Sequence, residues 1–219
     1  MTKSILTAAA LIFLGGCSST QPQYSGFLSD YNKLEPSPYL PKSMLYTAPG
    51  TDISSYENVM VEPVRIFANN EQIKANSGLL KEASMYLTQR VSNKLDKNPN
   101  FNLVTEPQDK TLKIEFALTA VEAVHEDRKG YQYVPVALVI SQAARASGAI
   151  DKNAIVAMEL RVSDASTGKI LGKVLDSEAG EKINVQEKDL DFKHLKPALD
   201  TWANRFSDRL DHMKKSGIK

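Results

Sequence analysis

The stretch VAMELRVSDASTGKILGKVL, residues 156–175, decides how the chain folds. Val156, Met158, Leu160 and Val162 alternate with Ala157, Glu159 and Arg161. A period of two marks a strand with one apolar face and one polar face. DASTGK, residues 164–169, reads as a reverse turn: Asp164 can bond its own backbone and Gly168 can take positive φ. Ile170–Leu175 then returns as the hairpin partner.

Working outward from this hairpin, the same alternation recurs upstream. Leu112, Ile114, Phe116, Leu118 and Ala120 interleave with Lys113, Glu115, Ala117 and Thr119, which predicts a long half-buried strand. Residues 101–104, FNLV, predict a short strand before it. Residues 56–67 predict another, with β-branched Val59, Val61 and Ile66, and with Pro63 marking an edge or a bulge. Between them the period changes. Leu80, Ala83, Leu87, Val91 and Leu95 recur every three or four residues, which predicts a helix over about residues 77–97. Asn76 or Ser77 can cap its start, and Asn98-Pro99 ends it. A last helix is expected over residues 197–214, with Pro197 in its first turn and Leu199, Trp202, Phe206, Leu210 and Met213 as its apolar stripe. Trp202 and Phe206 read as core rather than as a ligand box.

Each helix has one apolar stripe, so both can pack on one face of a sheet. The expected fold is α+β: a two-layer sandwich with a mostly antiparallel sheet and two helices on one face. The strand–helix–strand crossover is expected to be right-handed. Residues 134–140, VPVALVI, fit either a core segment or an exposed apolar patch. Val136, Leu138 and Ile140 are therefore candidate partner-binding residues.

The beginning of the chain has a different character. Lys3 is its only charge before Asp30, and Ile5–Leu14 is apolar apart from Thr7. That is the shape of a secretory signal peptide, too short for a permanent span of about 20 residues. Leu14-Gly15-Gly16-Cys17 follows and contains the only cysteine of the 219 residues. The tetrapeptide resembles the bacterial lipobox. The resemblance implies cleavage between Gly16 and Cys17, a diacylglyceryl thioether on the Cys17 sulfur, and acylation of the new amino terminus, commonly with palmitate. Several acyl chains on one residue hold a protein on a membrane where one chain alone binds marginally. Ser18 stands where aspartate favours inner-membrane retention in such lipoproteins, so the resemblance implies the outer membrane, facing the periplasm. A lone cysteine also rules out an internal disulfide.

Residues 24–56 hold five of the eight tyrosines, at 24, 31, 39, 46 and 56, among prolines 36, 38, 41 and 49. Prolines oppose regular structure, and aromatics oppose disorder. The segment reads as an extended aromatic strap lying on the domain, or as an interface through Phe27, Tyr31 and Tyr39. SGFLSDYNKLEPSP (residues 25–38) and YTAPGTDISSYENVMVEPV (residues 46–64) resemble the opening of bacterial lipoproteins of the domain-of-unknown-function 3313 family. The resemblance runs from about Gly26 to the end, and the Phe-Leu-x-Asp-Tyr element at residues 27–31 is its most specific part. The family carries no assigned activity, so the resemblance brings no catalytic residues. The expected organisation is a signal peptide over 1–16, an acylated tether and strap over 17–55, and a periplasmic α+β domain over 56–219.

Chemistry is sparse. The chain has three histidines, His125, His194 and His212, with no helical metal-pair spacing, no HExxH, no GxSxG and no phosphate-binding glycine loop. Glu115 and Glu159 fall on strands opposite the apolar face and read as a solvated surface rather than an acid–base pair. Without Lys3 the mature chain carries 26 basic and 26 acidic side chains, which offers no footprint for nucleic acid. The expectation is a non-enzymatic, membrane-anchored envelope module with a protein partner, no metal and no cofactor beyond the lipid on Cys17. An auxiliary subunit of a trans-envelope transport or secretion system and a cell-wall or lipid hydrolase are the alternatives. The oligomeric state is left open.

Overall fold

The computed structural model describes residues 24–40, 43–68, 70–125, 152–184, 187 and 189–216. Eight strands form one mixed sheet: β1 (Glu35–Pro36), β2 (Met44–Thr47), β3 (Asn58–Val61), β4 (Arg65–Ile66), β5 (Asn102–Leu103), β6 (Thr111–His125), β7 (Lys152–Asp164) and β8 (Ile170–Ile183). Helix α1 spans Asn70–Asp96 and α2 spans Phe192–Ser216. The order across the sheet is β1-β2-β8-β7-β6-β3-β5, with β4 also on β6. β6, β7, β8, β2 and β1 run antiparallel, whereas β3 and β4 lie parallel to β6 and β5 lies parallel to β3. Parallel neighbours need a crossover, and α1 supplies it between β3 and β5.

The fold is the α+β sheet with two helices that the two periods predict. Leu80, Ala83, Leu87, Val91 and Leu95 of α1 are all buried to 1% exposure or less, as a core-facing stripe requires. They meet Leu112, Ile114, Phe116 and Leu118 of β6, Val156 and Met158 of β7, and Leu199 and Trp202 of α2 in one cluster. Phe206 closes on Phe116 edge to face at 5.3 Å. Asn76 has non-helical dihedrals (φ −134°, ψ 25°), so the predicted helix start survives as a kink after one additional turn and a half. The last helix begins one turn before Pro197 because Asp191 and His194 satisfy its first backbone groups. Asp191 Oδ1 accepts from the Phe192 amide at 2.6 Å, and His194 Nδ1 accepts from the Asp191 amide at 3.0 Å. Pro63 splits the strand predicted over 56–67 into β3 and β4, since it has no amide hydrogen to donate.

Two expectations need correction. The strap is not merely laid on the domain. Met44–Thr47 pairs with residues 172–175 of β8, and Glu35–Pro36 extends the sheet beyond it. A division at residue 55 therefore cuts through one hydrogen-bonded sheet. The prolines permit this because they flank β2 or occupy the edge strand β1, where a missing amide costs no ladder bond.

Polar clamps tie the layers. Asp176 of β8 is buried and accepts from Ser43 Oγ (2.6 Å), Trp202 Nε1 (2.9 Å) and Arg205 (3.2 Å), which fixes α2 and the start of β2 to one strand. Asp200 of α2 accepts from Tyr86 Oη (2.7 Å), Arg90 Nε (2.7 Å) and Lys196 Nζ (2.8 Å). Partial burial pushes the Asp200 carboxyl up, but those three donors outweigh it and hold it at about 2. Gly180 of β8 passes so close to α2 that a Cβ there would lie 1.8 Å from the His194 carbonyl oxygen.

Two outcomes follow. Gly180→Ala is expected to cost about 1–3 kcal/mol in urea unfolding, as overpacking against backbone does. A pKa lowered by folding gives stability that is fully present above the unfolded value, about 4, and is lost as pH falls toward the folded one. Asp200→Asn should therefore lower the unfolding midpoint at pH 7 and flatten its decline between pH 4 and pH 2; an unchanged decline would refute the clamp.

Candidate functional site

The pleat of β6, β7 and β8 sends every second side chain away from the helices. Register then sets these side chains in rows. One row runs Arg65, Ala117, Glu159, Leu175, Met44, and the next runs Glu115, Arg161, Lys173, Tyr46. This second face carries the charges that the alternation had assigned to solvent. Glu159 is instead 1% exposed and Lys173 is 9% exposed. The reading of Glu115 and Glu159 as a solvated strand face is thus overturned, because the segment from Tyr24 to Tyr31 folds down over them.

That segment is a tight loop. Gly26 takes φ +91°, which favours glycine, and Ser29 takes φ +66°. Phe27 and Leu28 insert beneath it and pack with Leu34, Ala117 and Leu175, flanked by Tyr31, Met44, Tyr46 and Phe67. Ala117 is small enough to leave room for this second core. Arg161 and Lys173 on its rim are both engaged. Arg161 grips Glu115 with Nε and Nη2 at 2.8 and 2.9 Å, donates from Nη1 to the Phe27 carbonyl at 3.3 Å, and stacks 4.9 Å from the Phe27 ring. Lys173 Nζ donates to the Asp30 carbonyl at 2.8 Å.

The Tyr31 hydroxyl organises the loop. It donates to Glu159 Oε2 at 2.8 Å and accepts from the Gly26 and Leu28 amides at 2.9 and 3.3 Å. The ring stacks on Tyr24 with centroids 4.0 Å apart and planes 6° from parallel. Burial pushes the Glu159 carboxyl above its ordinary range, against the pull of the Tyr31 hydroxyl and its other hydrogen bonds. Burial also pushes the Glu115 carboxyl up, but the Arg161 bond and charge reverse this and hold it below that range. The face therefore contains a locked ion pair and a capped carboxylate. The Glu115, Glu159, Arg161 and Lys173 side chains are already spent on the loop or on a neighbour.

The other candidate residues are distributed as follows. Phe27 is 3% exposed and Tyr31 is half-buried, so neither offers a free surface; the hydrophobic payload of Phe27 and the hydroxyl of Tyr31 are consumed inside the chain. Tyr39 is 63% exposed, and the Arg209 guanidinium of α2 lies 4.4 Å from its ring. Arg209 borders an open depression on α2 with Thr201, Asn204, Arg205, Asp208 and His212. Gly16, Cys17, Val136, Leu138 and Ile140 lie outside the described residues. Among the described residues, no three His, Cys, Asp or Glu side chains are grouped to hold a metal ion. No described helix is long and apolar enough to cross a membrane. His194 is buried, with Nε2 3.3 Å from Glu187 Oε2, and serves the start of α2.

Two measurements test this geometry. Tyr31→Phe removes a hydroxyl that serves four partners, Ser25 Oγ among them, and should raise amide exchange at residues 26–31 by about 10-fold or more while α2 stays protected, as a hydrogen bond worth about 1.5–3 kcal/mol implies. Glu159 gives the opposite pH sign to Asp200. A carboxyl whose pKa is raised by closure favours the closed loop at low pH and loses that contribution as pH rises through the raised value. Loop exchange should therefore quicken, beyond the intrinsic rate, from pH 4 to pH 7 in the wild type and not in Glu159→Gln.

Comparison with known proteins places this arrangement. The chain matches the family described as "Protein of unknown function (DUF3313)" over residues 23–206. It is 27% identical over 205 residues to the uncharacterized lipoprotein YdcL of Escherichia coli K12, covering 91% of each chain. Among solved structures it is similar to a PelC dodecamer from Paraburkholderia phytofirmans, at 10% identity and TM-score 0.41, over 76% of this chain and 97% of that one. It is also similar to the hypothetical protein CT253 from Chlamydia trachomatis, at 10% identity and TM-score 0.42, over 71% and 98%. The Phe27–Tyr31 element lies within the matched span, and the chain belongs to the DUF3313 family.

Proposed function

We propose that this protein is an envelope lipoprotein, acylated on Cys17 and held on the outer membrane facing the periplasm. Its α+β domain acts as a non-enzymatic binding or structural module. The observation that carries the reading is the Leu14-Gly15-Gly16-Cys17 tetrapeptide behind a short apolar run, seven residues before the first described residue. A relative named as a lipoprotein, matched over 91% of both chains, supports it. The second face supports the non-enzymatic part. The two carboxylates that could form an acid–base pair are committed, Glu115 to Arg161 and Glu159 to Tyr31. An acid–base catalyst needs its proton-transfer groups open to a substrate.

The partner surface that fits this reading is the exposed Tyr39 ring beside Arg209 and the depression on α2. Tyrosine and arginine are the side chains that most often anchor protein interfaces. In cells, a photo-reactive residue at position 39 should crosslink to one envelope protein, and the same residue at Lys81 should not. Loss of the adduct in Arg209→Glu would locate the surface; equal labelling from both positions would refute it. Cys17→Ser should abolish lipid labelling and release the protein from the outer-membrane fraction. Unchanged fractionation would sink the anchor reading.

A further inference from the structure

We infer that the sheet face covered by the Tyr24–Tyr31 loop is the membrane-apposed side of the domain, with Tyr24 and Arg65 against phosphate-bearing lipid headgroups and both helices turned away. The inference rests on the acylation of Cys17 proposed above.

The argument is one of reach. Six residues, 18–23, separate Cys17 from Tyr24. Fully extended, those seven Cα steps span at most about 25 Å. A domain of this size has a radius of gyration of about 16 Å, so it is about 40 Å across. The tether is shorter than the body it holds, and the point where it joins the body selects the side that faces the lipid. That point does not swing. Tyr24 is stacked on Tyr31, and Tyr31 is bonded to Glu159 in the middle of β7. The helices lie across the sheet from it, farther by at least a helix diameter of about 10 Å.

The chemistry around the join suits headgroups. Tyr24 is 36% exposed, and amphipathic aromatic rings settle at the membrane–water boundary. Arg65 is exposed, with its guanidinium 4.7 Å from the Phe67 ring and 5.8 Å from the Phe27 ring. It makes no ion pair among the described residues, and the Glu115 carboxylate on the same face is held by Arg161. A stacked guanidinium keeps its donor edge free for phosphate. Lys33, also exposed, lies 5.9 Å from the Tyr46 ring on the same side. Asp30 and Glu35 are exposed close by in the chain, so the side as a whole is not strongly cationic. The lipid anchor supplies the affinity, and Arg65 and Tyr24 set the tilt.

Cys17 is the only native cysteine, so in the acylated protein an introduced thiol is a unique label site. The intact lipoprotein is reconstituted in phosphatidylethanolamine–phosphatidylglycerol vesicles carrying a headgroup quencher, with a fluorophore on Lys33→Cys or on Lys81→Cys of α1. Quenching at position 33 is expected to exceed that at position 81 several-fold, and Arg65→Glu should narrow the ratio without altering acylation. Equal quenching, or stronger quenching at 81, would overturn the orientation. An unchanged ratio in Arg65→Glu would remove the headgroup contact. A photo-crosslink from position 33 to an envelope protein instead of lipid would make the face a protein interface. Mass measurement of Cys17 on the same sample separates the two readings: an unmodified cysteine sinks the anchor and this orientation with it, whereas an acylated protein with the wrong quenching pattern sinks the orientation alone.

Discussion

A three-stranded core of long antiparallel strands has two faces, and two helices can cover only one of them. Everything on the second face follows from that constraint. β7 sits centrally between β6 and β8, so Glu159 and Arg161 are flanked on both sides, and Glu159 is shut off from water. The bond from Tyr31 to Glu159 lets the chain cover this face with its own amino-terminal loop. Without it, Phe27 and Leu28 would have to sit over a buried carboxylate that has lost its Tyr31 donor and keeps only those of Ser25 and Leu28.

The loop shows how a sheet tolerates charge at its centre. Glu115, Arg161 and Lys173 form one row across three strands; register sets the opposite charges Glu115 and Arg161 side by side, while Lys173, a like charge beside Arg161, is turned to the Asp30 carbonyl. Arg161 uses its planar fork on Glu115 and its third nitrogen on the Phe27 carbonyl, which fixes where the loop lies as well as what it covers. Such a half-buried ion pair adds little net stability compared with an apolar replacement. What it adds here is position: the loop has one place to sit. Mechanical load from an anchor at Cys17 would thus enter the fold through Tyr24, Tyr31 and the central strand, rather than through a frayed end.

Much of the fold was legible because each element carries its own period. The stripe from Leu80 to Leu95 reads as a helix and the alternation from Leu112 to Ala120 as a strand, since burial on one side imposes 3.6 or 2 whatever the neighbours are. Pro63 and the Asp164–Lys169 turn were legible for the same local reason. Strand ends were not. β6 runs on to His125 and β8 to Ile183, where pairing continues after the apolar alternation fades. Met44–Thr47 was hidden by the prolines around it, which say nothing against a short proline-free strand between them or against a proline in the edge strand β1. The second face was illegible in a stronger sense. Glu159 in a strand reads as solvated, and only a loop 128 positions away in sequence makes it buried.

By itself, then, the sequence determined the elements and the apolar face that each presents. These depend on spacing along the chain, and spacing is a local property. Tertiary structure alone decided that Phe27 and Tyr31 serve the domain's interior while Tyr39 stays outside, and that three charged residues on neighbouring strands make one covered row. Those outcomes depend on which residues register brings side by side and on what folds over them, and neither quantity exists until the chain has closed on itself.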